Sequence, residues 1–207
     1  HYRARRQRQM CIRDRLIAPV AWSKERAIRP VAEAVNPNLR QALVIGNSDY
    51  EHAGRLRNPV NDAKAIGSTL QGLGFRVTLL MDADQRRMES TIRDFGDQLR
   101  QRKGVGLFYY AGHGMQLNGE NYLLPTDINP SSEEDVRYDA IPLGKLLAQM
   151  QVAKNTMNVV ILDACRNNPF PKSFRTFNPG LVQVNAAAGT FISFATAPGQ
   201  VLSLIHI

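Results

Sequence analysis

From Arg40 onward the apolar positions fall into short runs and helical stripes that alternate along the chain. Ala42-Leu43-Val44-Ile45 is an apolar run closed by Gly46-Asn47, the pattern of a buried strand. Beyond the Asn58-Pro59 boundary, Val60, Ala63, Ala65, Ile66 and Leu70 keep helical spacing as far as Gly72 and Gly74. Phe75–Leu80 predicts a second strand. Asp82 or Asp84 then caps a helix of about Gln85 to Arg102, with Met88, Ile92, Phe95 and Leu99 on one face. Gly104 ends it, and Val105–Tyr110 predicts a third strand. Asn118-Gly119, between Met115–Leu117 and Tyr122–Leu124, is a two-residue hairpin signal. Ser131–Asp135 reads as an acidic loop and Leu143–Met150 as a short helix after Pro142. Asn158–Leu162 is a fourth strand, 166–189 is irregular, and Thr190–Ala195 is a fifth strand. Strands alternating with helices predict an α/β domain on a mostly parallel sheet. No internal repeat is visible.

Composition agrees with a globular domain: 43% of the 207 residues are hydrophobic and 21% charged. No apolar run approaches the roughly 18 residues of a membrane span. The net charge of +8 raises nucleic-acid binding, but its placement argues otherwise. Arg3, Arg5, Arg6, Arg8, Arg13 and Arg15 against Asp14 put +5 of it in the first fifteen residues.

Those ends read as foreign. Met10–Arg15 and Leu202–Ile207 can be back-translated into DNA strings that are reverse complements of each other, as a sequencing-library adapter on both sides of a gene fragment would be. Residues 1–15 and 202–207 are therefore expected to be adapter-derived and are set aside. Residues 16–39 read as an arm or linker, and 40–201 as the functional domain. Of two cysteines, Cys11 drops out and Cys165 stands alone, so no internal disulfide framework is expected. No export signal is legible, and the compartment is left open.

In open α/β sheets, sites gather at the carboxyl ends of strands. The third strand leads into Tyr109-Tyr110-Ala111-Gly112-His113-Gly114, the fourth into Leu162-Asp163-Ala164-Cys165-Arg166. If these strands are neighbours, His113 and Cys165 face each other. An imidazole beside a thiol can accept its proton, or orient and polarise the scissile group, and then protonate the leaving amine. Gly112 and Gly114 suit a tight turn with close backbone approach. The amides of Gly114 and Cys165 together would stabilise a tetrahedral oxyanion. Alone, a cysteine at a strand end is more often an apolar filler; the glycine-flanked histidine makes catalysis the better reading.

These features resemble the caspase–metacaspase superfamily, especially bacterial caspase-like proteins. The resemblance runs from about Arg40 to Val201. It includes Ala42–Gly46, Asn61-Asp62-Ala63, Leu73-Gly74-Phe75, Tyr110–Gly114, Asp163–Cys165 and Thr196–Gly199. His113 and Cys165 lie 52 residues apart; an interval of about 50 is a known property of that family, not a deduction from this chain. The resemblance implies a three-layer αβα sandwich and peptide hydrolysis through an acyl-enzyme, with no obligatory cofactor. It implies a His113–Cys165 dyad, an oxyanion amide from Gly114, and peptide or protein substrates.

Aspartate-cleaving caspases carry Gln two residues before the nucleophile, where this chain has Asp163. Asp62 matches the acidic pocket residue of metacaspases. Two carboxylates in one pocket imply a substrate Arg or Lys. The plainer reading is that Asp62 caps a helix and Asp163 accepts from a backbone amide. Arg55 and Arg57, close in sequence, would instead make an acid-accepting pocket. Arg166–Phe170 replaces the His-Ser-Gly common after the metacaspase cysteine. Most of the family's small-subunit segment is expected to be missing, including the last sheet strand and its covering helices. That would expose apolar sheet and leave the activity of the fragment open. Lys172 and Arg175 sit in a basic loop that is either simply solvated or a self-processing site. Calcium activation is left open; Glu133, Glu134 and Asp135 alone do not make a six-oxygen site, and no other metal is expected.

The main alternative is a catalytically silent caspase-like module that binds partners. A nucleotide-binding domain is disfavoured, because neither Gly72-x-Gly74 nor Gly104-x-Gly106 opens a helix. A zinc hydrolase is disfavoured because His52 and His113 are far apart and only one cysteine is retained. Oligomeric state is not legible. The source DNA tests the foreign ends: codons that do not form inverted copies of one string exclude them.

Overall fold

A computed structural model describes residues 39–165 together with 170, 181, 184 and 188–195. Seven strands and four helices follow one another as β1 (Arg40–Gly46), α1 (Pro59–Gly72), β2 (Arg76–Met81), α2 (Gln85–Arg102), β3 (Val105–Leu117) and β4 (Glu120–Leu123). Then come α3 (Glu133–Asp139), β5 (Ile141–Pro142), α4 (Leu143–Val152), β6 (Met157–Cys165) and β7 (Thr190–Phe194). The parallel part of the sheet runs β2-β1-β3-β6-β7. Beyond that part, β3 continues into an antiparallel pairing with β4, which pairs in turn with β5.

Period-two alternation sorts the strand residues onto two faces. Leu43, Ile45, Phe108, Tyr110, Val160 and Leu162 meet the apolar side of α2 (Met88, Ile92, Phe95, Leu99) and Leu146 and Met150 of α4. Ala42, Val44, Leu107, Tyr109 and Ala111 pack with Ala63 and Leu70 of α1 on the opposite face. The result is the expected three-layer αβα sandwich. A third apolar cluster, with Met115, Leu117, Tyr122, Leu124 and Val136, lies where β3 and β4 leave the parallel sheet.

Local chemistry explains the element ends. Asp84 is the cap of α2, its carboxylate accepting from Arg87 N–H at 2.7 Å. Asp82 instead accepts from the Ser48 and Asp49 amides at 2.7 and 3.0 Å and holds the loop after β1. Asn118 and Gly119 have φ of 51° and 83°, the two positive values a primed hairpin turn requires.

Two expectations are corrected. The third strand does not stop at Tyr110 but runs to Leu117, because its main chain exchanges β1 for β4 and stays paired. Ser131–Asp135 is not a loop throughout. Ser132 accepts from Asp135 N–H at 3.2 Å and the Asp135 carboxylate accepts from Ser132 N–H at 2.9 Å, a capping box that starts α3. The two-residue β5 carries too little pattern to be read from sequence.

Gly46 seats α1. A Cβ there would lie 2.5 Å from Pro59 O and 2.6 Å from Ala63 Cβ, so any side chain pushes the helix off the sheet. Gly46→Ala is expected to destabilise the fold by about 1–3 kcal/mol through overpacking, read as a lower urea midpoint at unchanged slope.

Candidate active site

β1 and β6 end on either side of β3, which runs on, and β1 gives way there to loop 47–58. Asn47, fully buried, anchors that loop. Its N–H donates to Ala111 O at 2.9 Å, its side-chain amide donates to Leu124 O at 3.1 Å, and its side-chain oxygen accepts from Ala83 N–H at 3.1 Å.

The parallel register of β3 and β6 runs from Val105↔Met157 to His113↔Cys165. The two residues 52 positions apart in sequence are thus direct neighbours across two strands, at the last step of the ladder. His113 is 6% exposed. Its Nε2 lies 2.8 Å from Gly54 O in loop 47–58. A carbonyl only accepts, so Nε2 is assigned the proton and donates; in the neutral ring Nδ1 is then a bare acceptor. Nδ1 is buried with no hydrogen-bond partner among the described atoms. Burial holds the imidazole below its ordinary pKa, and the Gly54 bond only partly opposes that.

Residues 112–114 correct the expected tight turn: they continue β3 as extended strand. Gly112 is needed for space instead, since a Cβ would lie 2.7 Å from both the Tyr50 and the Tyr110 hydroxyls. The main-chain groups of Ala111 and His113 turn to the side of β1 and β4, as Asn47 N–H donates to Ala111 O and Leu124 N–H to His113 O. Alternation therefore turns the Gly114 amide the other way, to the side where β6 ends, and leaves it outside the β4 ladder.

The two specificity candidates are brought together. Asp62 lies in the first turn of α1. Its carboxyl is held above the ordinary range, first by partial desolvation and then by the charge of Asp163. Asp163 accepts from Tyr109 O–H at 3.3 Å. Burial and both carboxylates push the Tyr109 phenol far up, so it stays a donor. Asp62 does not cap α1, whose N-cap is Asn58 without a side-chain bond, and the described partner of Asp163 is a phenol, not an amide.

Arg55 and Arg57 line a separate polar cavity of about 440 Å³ with Ser48, Asp49, Leu56, Val60, Asn61 and Asp82; neither Asp62 nor Asp163 borders it. Arg55 donates to Asp49 at 2.7 Å. Among the described residues no three His, Cys, Asp or Glu side chains gather as a metal site, and Asp135 of the acidic run is occupied as a cap. Arg166–Pro169, Lys172, Arg175 and Thr196–Gly199 lie outside the described residues. Sequence reasoning missed Gly54, Tyr50 and Tyr109. Only Tyr109 left a signal, standing four residues before the histidine in the motif.

The αβα sandwich thus brings a histidine and a cysteine position into register on adjacent strands. The caspase domain profile matches residues 39–203, and the chain belongs to that family of cysteine peptidases. It is similar to human mucosa-associated lymphoid tissue lymphoma translocation protein 1, at 31% identity over 160 residues, covering 76% of this chain and 18% of that protein. It is similar to a Dictyostelium discoideum paracaspase at 27% identity, covering 67% and 35%, and to dog caspase-1 at 28%, covering 72% and 37%. The chain thus spans about a fifth to somewhat over a third of the length of these relatives. In fold it is similar to the Drosophila initiator caspase Dronc, with a TM-score of 0.55 at 16% identity over 79% of this chain and 57% of that one. No described helix is long and apolar enough to cross a membrane.

The lowered pKa of His113 carries a sign. The unfolded chain binds this proton at higher pH than the folded one, so folding stability rises with pH between the two values and is lost as pH falls through that window. Urea midpoints are expected to drop on acidification from the ordinary imidazole range downward. His113→Gln should flatten that slope.

Proposed function

We propose that the domain is an endopeptidase that cleaves after Arg or Lys, with Cys165 as nucleophile and His113 as its base and acid. The observation that supports this reading is the His113↔Cys165 register, beside a histidine whose Nε2 is committed to Gly54 O and whose buried Nδ1 has no partner among the described residues.

In this mechanism the Cys165 thiol passes its proton to Nδ1, and the sulfur attacks the scissile carbonyl carbon. The amides of Gly114 and Cys165 receive the oxyanion. As the C–N bond breaks, the imidazolium returns the proton to the leaving amine, giving a thioester. Water then gives its proton to Nδ1 and attacks the thioester, and the thiol recovers that proton as the acid product leaves. No cofactor enters these steps. Asp62 and Asp163 hold the substrate cation: a guanidinium between them replaces mutual repulsion with charge-assisted hydrogen bonds. Their neighbourhood favours a basic side chain over the acidic one that Arg55 and Arg57 would have taken.

The test is turnover of peptides ending in Arg, Lys and Asp by the full parent protein. Cys165→Ala and His113→Ala should each lower turnover by more than about a thousandfold. Asp62→Asn or Asp163→Asn should lower kcat/KM on Arg peptides by about 10–100-fold. Because the Asp62 carboxyl titrates above the ordinary range, kcat/KM should begin to fall early on acidification, and Asp62→Asn should lose that limb. Better turnover of Asp-ended peptides would overturn the specificity. No Cys165-dependent turnover of any of them would replace the enzyme reading with a silent interaction module.

A further inference from the structure

One ladder bond is missing where β3 meets the chain leaving β4. Leu124 stands opposite His113, one step past the Gly114↔Leu123 pair, and its N–H donates to His113 O at 3.1 Å. Regular antiparallel pairing returns a bond from His113 N–H to Leu124 O. Here the His113 N–H donates to the Tyr50 hydroxyl, at 2.8 Å. That hydroxyl lies 3.3 Å from Leu124 O and can pass the bond on. The phenol is inserted into the ladder as a relay. On the other side the Tyr110 hydroxyl donates to His113 O at 2.7 Å, and the two hydroxyls are 3.3 Å apart. The peptide groups of His113 are therefore gripped by two phenols, and Gly112 supplies the space both need.

The Tyr50 ring does a second thing. It packs against the imidazole of His113, with centroids 4.6 Å apart and planes at 57°. Tyr50 belongs to loop 47–58, as does Gly54, which takes the Nε2 proton. One loop thus holds the main chain of the histidine with one residue and its ring with another. A phenol that only filled the core would have no use for its hydroxyl at this place. Phe would fill the same volume without having to find polar partners in a buried site.

We infer that Tyr50 is a positioning residue for His113: its hydroxyl replaces a main-chain ladder bond and its ring braces the imidazole, keeping Nε2 on Gly54 O and Nδ1 open. Tyr50 touches no reacting atom in this role. The kinetic consequence rests on the peptidase reading above; the geometric one does not.

The experiment compares wild type with Tyr50→Phe in the full parent protein by two independent readouts. The first is histidine-selective ¹⁵N NMR, which reports the ring tautomer without any substrate. Wild type should show His113 as a single Nε2–H tautomer, and Tyr50→Phe a mixture. The second is steady-state turnover of an Arg-ended peptide, where kcat should fall about tenfold with KM within about twofold, since the Asp62–Asp163 pair is untouched. If Tyr50→Phe does not fold, 2,3-difluorotyrosine at position 50 keeps the shape and weakens the hydroxyl as acceptor, and should shift both readouts the same way. A melting temperature that falls while the tautomer stays single and kcat per folded molecule is unchanged would overturn the inference. A wild type with the expected tautomer and no turnover would sink the peptidase reading and leave Tyr50 judged on the NMR alone.

Discussion

The change of partner along β3 is the constraint on which the site depends. Main-chain polar groups in a buried strand must be paired. Up to Ala111, β1 does this; beyond it, β1 has ended, because Gly46 is the point at which α1 must lie against the sheet. β4 takes over from Gly114 onward. Between these partners lies His113, where a side-chain hydroxyl takes a place in the ladder. On its other side β6 makes no such change and carries the register through to Cys165. The junction therefore places an imidazole next to a cysteine position and turns the following amide out of the ladder. A β3 that simply ended with β1 would leave the histidine on an unsupported loop.

The two halves of the site are joined by the same short segment. Loop 47–58 begins at the fully buried Asn47, contributes Gly54 O to the histidine, and ends at the first turn of α1, where Asp62 sits. Its amides at Ser48 and Asp49 are held by Asp82 from the end of β2. Displacing α1 would thus move Asp62 and strain the loop that holds the His113 ring. Gly46, distant from the chemistry, belongs to the site in that sense.

Much of this was legible from sequence because it rests on short-range periodicity. The α2 stripe, the β1 run and the Asn118-Gly119 turn each write their geometry into adjacent residues, and α2 has the boundaries that its pattern predicts. The adjacency of His113 and Cys165 across β3 and β6 was expected from the motifs at the carboxyl ends of their strands. What escaped depends on long-range pairing. The extension of β3 past Tyr110 is determined by β4, and the real need for Gly112 is two phenols from different segments. Gly54 acts through a carbonyl, which every residue has, so no side-chain pattern marks it. The α3 cap was missed for another reason: Ser132 and Asp135 look like loop composition until their spacing is read as a capping box.

The electrostatics of the site follow from giving its groups different environments. His113 is enclosed, so its charged form is disfavoured. Asp62 is half-buried beside Asp163, and desolvation first and that neighbouring charge second make it hold its proton more tightly than an isolated carboxyl. The Tyr109 hydroxyl, which remains protonated under both carboxylates, fixes Asp163 in that arrangement without neutralising it. Burial lowers the pKa of one group and raises that of the other, so the two are set apart electrostatically. In this fold the separation is set by the β3 junction, which encloses His113, and by the first turn of α1, which leaves Asp62 half-buried.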